Sequence, residues 1–224
     1  MKDNINKKKL ALFDFCDTIV GFQSAKRYVR YCVKNYPSRS IRIRHICFTI
    51  LRKLYFVRIF ELLFPQKNIE KRLLLWQIKN TSYQVLEAAA EGFYKNEIVP
   101  KLIPETIKEL NKRIHDGYEI AIVSGGYDIY IRHFAINHNV PVSNIIANRL
   151  IFKDGLFTGK FDIDCMGDTK VKMLDMRYNK AEYEIVAYTD SCSDLPMLKW
   201  ANNGYIIYQK PLWIKNNHYQ MILV

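Results

Sequence analysis

A chain of 224 residues has room for one core domain and a smaller insertion. Hydrophobic residues make up 49% and aromatic residues 13%, which excludes a disordered chain. The net charge of +12 points to acidic partners: phosphorylated metabolites, anionic membrane surfaces or nucleic acid.

The segment Met1–Lys9 is polar and lysine-rich, and the apolar run after it is cut short by Asp14, too early for a signal peptide. Leu10–Phe13 is a continuous apolar run, expected to be a strand buried on both faces and ending at Asp14-Phe15-Cys16-Asp17-Thr18. From Gly21 to Val99 the pattern is helical, with apolar spacing around Tyr28, Cys32, Ile50, Leu54, Val57, Leu86 and Phe93. Pro37, Pro65 and Pro100 punctuate it. This stretch is too long for a loop and is expected to be an inserted helical domain. Between Lys26 and Arg58 it carries many Arg and Lys residues and no acidic one. Its most apolar part, Ile46–Phe64, is broken by Arg52, Lys53, Arg58 and Glu61, so no spanning helix is expected.

Pro104-Glu105 opens a helix with Ile107, Leu110 and Ile114 on one face, closed by Asp116-Gly117. Glu119–Val123 is a second strand, ending in Ser124-Gly125-Gly126. Asn148–Phe161 reads as a hairpin turning at Asp154-Gly155. Lys170–Tyr178 reads as a short helix, Glu184–Tyr188 as a third strand ending in Thr189-Asp190, and Gly204–Tyr208 as a fourth. Strands alternating with helices predict an α/β fold: a Rossmann-like parallel sheet, with residues 1–20 and 100–224 as the core and 21–99 as a helical cap. The five cysteines (16, 32, 47, 165 and 192) contain no CxxC pair. Neither a zinc site nor a disulfide framework is suggested, and a reduced, cytoplasmic protein is expected.

Ligands of such sheets sit beyond the carboxyl ends of the strands, where the polar residues cluster. Neighbouring strands would bring Asp14 and Asp190 together, and two close carboxylates call for a cation between them. Magnesium suits hard oxygen ligands and leaves room for a phosphate. Asp194 could hold the metal's surroundings, Ser124 and the amides of Ser124-Gly125 could cradle phosphate oxygens, and Lys170 could neutralise them. Taken singly each has an ordinary reading: Asp168 or Asp194 as a helix cap, Ser124 in a tight turn, Lys170 as a surface lysine.

Together the segments resemble the haloacid-dehalogenase-like hydrolase superfamily, in its phosphoserine-phosphatase-like subclass with a helical cap. Phe13–Thr18 resembles the first motif, DxDxT, and Ile122–Gly126 the second. Gly167–Val171 resembles the segment bearing the third-motif lysine, and Tyr188–Leu198 the acidic fourth motif. The resemblance implies Asp14 as a nucleophile forming an aspartyl-phosphate. It implies magnesium on Asp14, Asp190 and the carbonyl of Cys16, with Asp194 in support. Ser124, Gly125 and Lys170 would hold the phosphoryl group of a small phosphorylated substrate.

The sequence departs from that pattern at Cys16, where the subclass places a general-acid Asp. A thiol is a different acid and a poor magnesium ligand. Asp17 could substitute, or the reaction could be phosphotransfer, hydrolysis of an activated phosphate, or phosphate binding with little catalysis. For the basic cap, a solvated face, an anionic substrate or a peripheral membrane surface all remain open. No recognised module or stacking motif accompanies the charge, which disfavours nucleic acid.

Overall fold

The apolar run behind the lysine-rich start becomes the middle of a sheet. The computed structural model describes residues 7–54, 62, 69–208 and 220–223. Strand β1 (Lys8–Phe13) pairs in parallel with β2 (Glu119–Tyr127) on one side and β6 (Tyr183–Thr189) on the other. With β3 (Ile145–Asn148), β7 (Asn203–Tyr208) and β8 (Gln220–Leu223) the order is β3-β2-β1-β6-β7-β8, parallel throughout. The hairpin β4 (Leu150–Lys153) and β5 (Leu156–Phe161) stands apart from it. Its turn places Asp154 and Gly155 at φ 51° and 75°, the left-handed conformations that a two-residue turn demands.

The unbroken apolar character of Leu10–Phe13 in β1 follows from burial on both faces, since alternate side chains point to opposite sides. Ala11 and Phe13 join one cluster with Ile120, Ile122, Val186 and Tyr188. Leu10 and Leu12 join the other with Ala121, Val123, Ile185 and Ala187. Of the later helices, α5 (Pro104–His115) and α6 (Asp128–Asn137) contribute to the first cluster, and α7 (Asp168–Asp175) and α8 (Leu195–Trp200) to the second.

Between β1 and α5 the chain is helical, as expected: α1 (Ser24–Asn35), α2 (Arg39–Lys53), α3 (Ile69–Gln77) and α4 (Tyr83–Phe93), then a π-helical turn at Tyr94–Ile98. Ser38 and Ser82 start α2 and α4 by accepting the N–H groups of Ile41 and Val85 on their hydroxyls. The chain leaves and re-enters the core side by side. Gly21 N donates to Lys101 O and Ile103 N donates to Ile19 O, each at 2.9 Å. The helices share the first core cluster with the sheet, and Phe93 marks the junction. Its fully buried ring meets those of Phe22, Tyr28, Tyr31 and Tyr130.

Several expectations shift. The helix expected over residues 170–178 runs from Asp168 to Asp175, and the hairpin begins at Leu150 because Asn148 belongs to β3. The second strand continues through Ser124-Gly125-Gly126 to Tyr127, its register with β3 shifting between Ser124 and Tyr127. Ile50 lies on a helix as its spacing suggested and Leu54 ends it, yet both are exposed rather than packed. Val57 and Pro65 lie outside the described residues. Among the described residues no helix is long and apolar enough to cross a membrane.

Truncating Phe93 to Ala would empty a site lined by four aromatic rings. Chemical denaturation should show a loss of about 3–5 kcal/mol, the usual cost of a large-to-small change at a fully buried ring.

Candidate active site

The parallel registers bring three strand ends to one edge. Phe13 pairs with Ile122 on one side and Tyr188 on the other, so Asp14 and Asp190 lie just beyond the strand ends, and Ser124, still paired with Ala147, stands beside them past the end of β1. Asp14 N donates to Tyr188 O at 2.9 Å, which continues the ladder by one bond before the chain turns away. The side chain of Asp14 is buried, as are those of Lys170 and Asp194.

These three are joined directly. Lys170 Nζ donates to Asp14 Oδ1 and to Asp194 Oδ2, both at 2.7 Å. Thr189 adds a hydroxyl bond to the same Asp194 Oδ2 at 2.9 Å. The other oxygen, Asp194 Oδ1, is buried without a hydrogen-bond partner. Burial alone would drive Lys170 towards neutrality, but Asp14 and then Asp194 outweigh it and hold the ammonium above the ordinary lysine range. Burial pushes the Asp14 carboxyl up to about 6 against the pull of Lys170, and the charge of Asp194 acts in the same direction as burial. Asp190 takes its side-chain bond from the neutral Thr18 hydroxyl at 3.1 Å, and Thr18 Oγ1 in turn accepts Asp190 N at 3.0 Å. Burial, then the charge of Asp14, raise its carboxyl to about 7.

The centre is therefore rich in negative charge. Lys170 serves Asp14 and Asp194, while Asp190 feels Asp14 and is met by neutral donors. A divalent cation would relieve that repulsion. Among the described residues no three His, Cys, Asp or Glu side chains are grouped to hold a metal. Asp14 and Asp190 are the two carboxylates on offer, a number that suits magnesium, which keeps its remaining positions for water and phosphate. The residues present fit such an ion.

The segment Ser124–Gly126 is held from several sides. Ser124 Oγ accepts Gly126 N at 3.0 Å. The Gly125 carbonyl accepts Asn148 Nδ2 at 2.9 Å and Lys71 Nζ at 3.2 Å. Asn148 Oδ1 receives Cys165 N at 2.8 Å, and Lys71 also pairs with Asp164. Both glycines are closely approached, Gly125 by the movable end of an exposed side chain and Gly126 by a fully buried hydroxyl. A Cβ on Gly125 would collide with Met166 Sδ, and one on Gly126 would lie 2.5 Å from Tyr130 Oη. Lys71 comes from α3, so the helical insertion reaches the loop directly.

Cys16 points elsewhere. Its Sγ lies 3.0 Å from Ser24 Oγ and accepts Ser24 N at 3.4 Å, while Ser24 Oγ lies 2.6 Å from Tyr130 Oη. Burial, then the charge of Asp14, push this thiol up to about 11. It stays protonated at neutral pH inside a network of neutral hydroxyls. Asp17 adopts φ 54°, which breaks the strand's alternation, and its Oδ2 accepts Gln23 Nε2 at 2.6 Å.

Of the residues singled out in the sequence, Asp14, Lys170 and Asp194 meet by direct bonds, with Asp190, Ser124 and Gly125 on the same edge. Thr18, Thr189, Asn148 and Lys71 were not singled out. The two threonines lay inside the quoted motifs, whereas Asn148 and Lys71 carried no signal, because only the fold brings them to Gly125.

The haloacid dehalogenase-like hydrolase family profile matches residues 11–199. A phosphoserine phosphatase from Methanocaldococcus jannaschii is 29% identical over 210 residues, spanning 92% of this chain and 88% of its own. A protein of unknown function from Bordetella pertussis Tohama I superposes with a TM-score of 0.77 at 18% identity, over 96% of this chain and 98% of the other. Phosphoserine phosphatase in its apo form superposes with a TM-score of 0.57 at 23% identity, over 92% and 88%. With its fold shared and most of its length matched, the chain belongs to the haloacid dehalogenase-like hydrolase family, among its phosphoserine-phosphatase-like members.

Proposed function

We propose that this hydrolase is a magnesium-dependent phosphatase that passes the phosphoryl group of a small phosphorylated molecule through an aspartyl-phosphate on Asp14. The observation that carries the reading is the buried Asp14–Lys170–Asp194 cluster at the strand ends, with Asp190 beside it. Asp14, Asp190 and the carbonyl of Cys16 would hold magnesium, which supplies positive charge against the phosphoryl oxygens. An Asp14 oxygen forms a bond to phosphorus as the bond from phosphorus to the leaving oxygen breaks. Water then cleaves the acyl phosphate and returns the carboxylate. Lys170 positions Asp14 and offsets charge on the transferred group, while Ser124 and the backbone of Gly125 line the phosphate's place. Residues 21–99 serve as the cap over this site, and their basic face would meet any anionic surface. The five free thiols suit a reducing cytoplasm.

A second reading, hydrolysis or transfer of an activated phosphate, is favoured by one observation. The thiol of Cys16, held near 11 and engaged with Ser24, is a poor proton donor for an alkoxide leaving group. Acyl and aryl phosphates depart without that proton.

Phosphate release should be compared across phosphoserine, acetyl phosphate and p-nitrophenyl phosphate, with magnesium and with EDTA. Release should depend on magnesium, vanish in Asp14→Asn, and favour the two activated phosphates over phosphoserine. Cys16→Asp should raise turnover of phosphoserine by about 10²–10⁴, the usual worth of a positioned acid, and change the activated substrates little. Release by Asp14→Asn at the wild-type rate would contradict the mechanism. Lys170→Met leaves two buried carboxylates unpaired and should lower unfolding stability by about 3–5 kcal/mol, measured by denaturation. An unchanged midpoint would show that Lys170 does not hold them.

A further inference from the structure

Helix α2 is fastened on one side and bare on the other. Ile41 and Phe48 are buried, Arg44 Nε donates to the Gln77 carbonyl at 3.1 Å, and His45 Nδ1 lies 2.8 Å from Gln77 Oε1. On the opposite side Ile43, Ile46, Ile50 and Leu54 are 54, 58, 51 and 57% exposed. At about 100° per residue these four fall within about 80° of arc and run along about three turns. A single exposed isoleucine is ordinary, but a continuous stripe of four is not.

The stripe's surroundings narrow what covers it. Arg42 and Lys53 flank one side, Arg39 stands at its N-terminal end, and all three are exposed. The sequence from Lys26 to Arg58 holds no acidic residue. A second copy meeting this face would set like charges against each other. Nucleic acid would answer the arginines but leave the isoleucines uncovered. An anionic lipid surface satisfies both, accepting apolar side chains at the boundary of headgroups and acyl chains and placing phosphates beside the cations.

We propose that α2 is a membrane-docking helix that lies flat on an anionic phospholipid bilayer. Ile43, Ile46, Ile50 and Leu54 enter the headgroup–acyl boundary, and Arg42 and Lys53 face the lipid phosphates. Docking adds a place of work to the reaction and does not depend on it.

The test is co-sedimentation of the full chain with phosphatidylcholine vesicles, with and without phosphatidylglycerol, across a salt series and without substrate. The chain should bind the anionic vesicles at least about tenfold better than neutral ones and release them as salt rises. The double substitution Ile46→Glu with Ile50→Glu should cost at least about tenfold in binding with no fall in unfolding temperature, because both positions are exposed. Arg42→Ala with Lys53→Ala should remove most of the salt-sensitive part. No binding to anionic vesicles by the wild type, or equal binding by the isoleucine variant, would overturn the proposal. So would a wild-type dimer in light scattering that the isoleucine variant dissolves and that ignores vesicles, which would assign the stripe to a second copy.

Discussion

One ammonium group in the interior holds the chemistry of this molecule together. Lys170 is buried between Asp14 and Asp194, 2.7 Å from each. Without it two buried carboxylates would face each other in a medium that screens them poorly, and breaking such a pair costs several kcal/mol, about 3–5. With it both carboxylates are oriented by direct bonds, although burial still raises the Asp14 carboxyl to about 6. The arrangement is only possible because a parallel sheet delivers Asp14 and Asp194's neighbour Thr189 from adjacent strands, while α7 delivers Lys170 from across the edge. One cation does not balance the site, since Asp190 leans on Thr18 and is repelled by Asp14. The remaining negative charge is the physical basis for expecting a divalent metal there.

The rest of the site is built to keep that edge rigid. The Gly125 carbonyl is held by Asn148 from β3 and by Lys71 from α3, so sheet and helical insertion converge on a single peptide group. Tyr130 packs so closely against Gly126 that a side chain there would displace its buried hydroxyl. A loop pinned in this way costs no reorganisation when charge develops nearby, which is the form of stabilisation most useful to phosphoryl transfer. Beside it the Cys16–Ser24–Tyr130 network is neutral throughout. Its thiol, pushed up by burial to about 11, is a poor proton donor.

Much of the site was legible in the sequence because strand ends are abrupt. An apolar run that stops at Asp14, Ser124 or Thr189-Asp190 announces both the strand and the polar edge. The helical insertion was legible from its length and spacing. Other features depend on contacts that no local pattern encodes. Sequence alone places Asn148 in the hairpin because Asp154-Gly155 dominates its neighbourhood, yet Asn148 bridges Gly125 and Cys165 from β3. The helix Asp128–Asn137 starts at Tyr127 rather than at a Ser, Thr, Asp or Asn N-cap, so its start carries no ordinary sequence signal. Cys16 could be named from the motif, but its orientation towards Ser24 follows from the chain's turn after Phe15. Ile50 and Leu54 show the opposite case, where spacing gave the helix correctly and only the tertiary structure revealed that their face is uncovered.

In the proposed mechanism a magnesium ion would offset the charge of strand-end carboxylates that Lys170 alone does not balance. Titration calorimetry with magnesium on the wild type and on Asp190→Asn tests it without any substrate. The wild type should bind one ion per chain, and Asp190→Asn should lose binding by about tenfold or more, since a carboxylate proposed to hold the ion is gone. An absence of magnesium binding by the folded wild type, or binding that Asp190→Asn leaves unchanged, would contradict the claim.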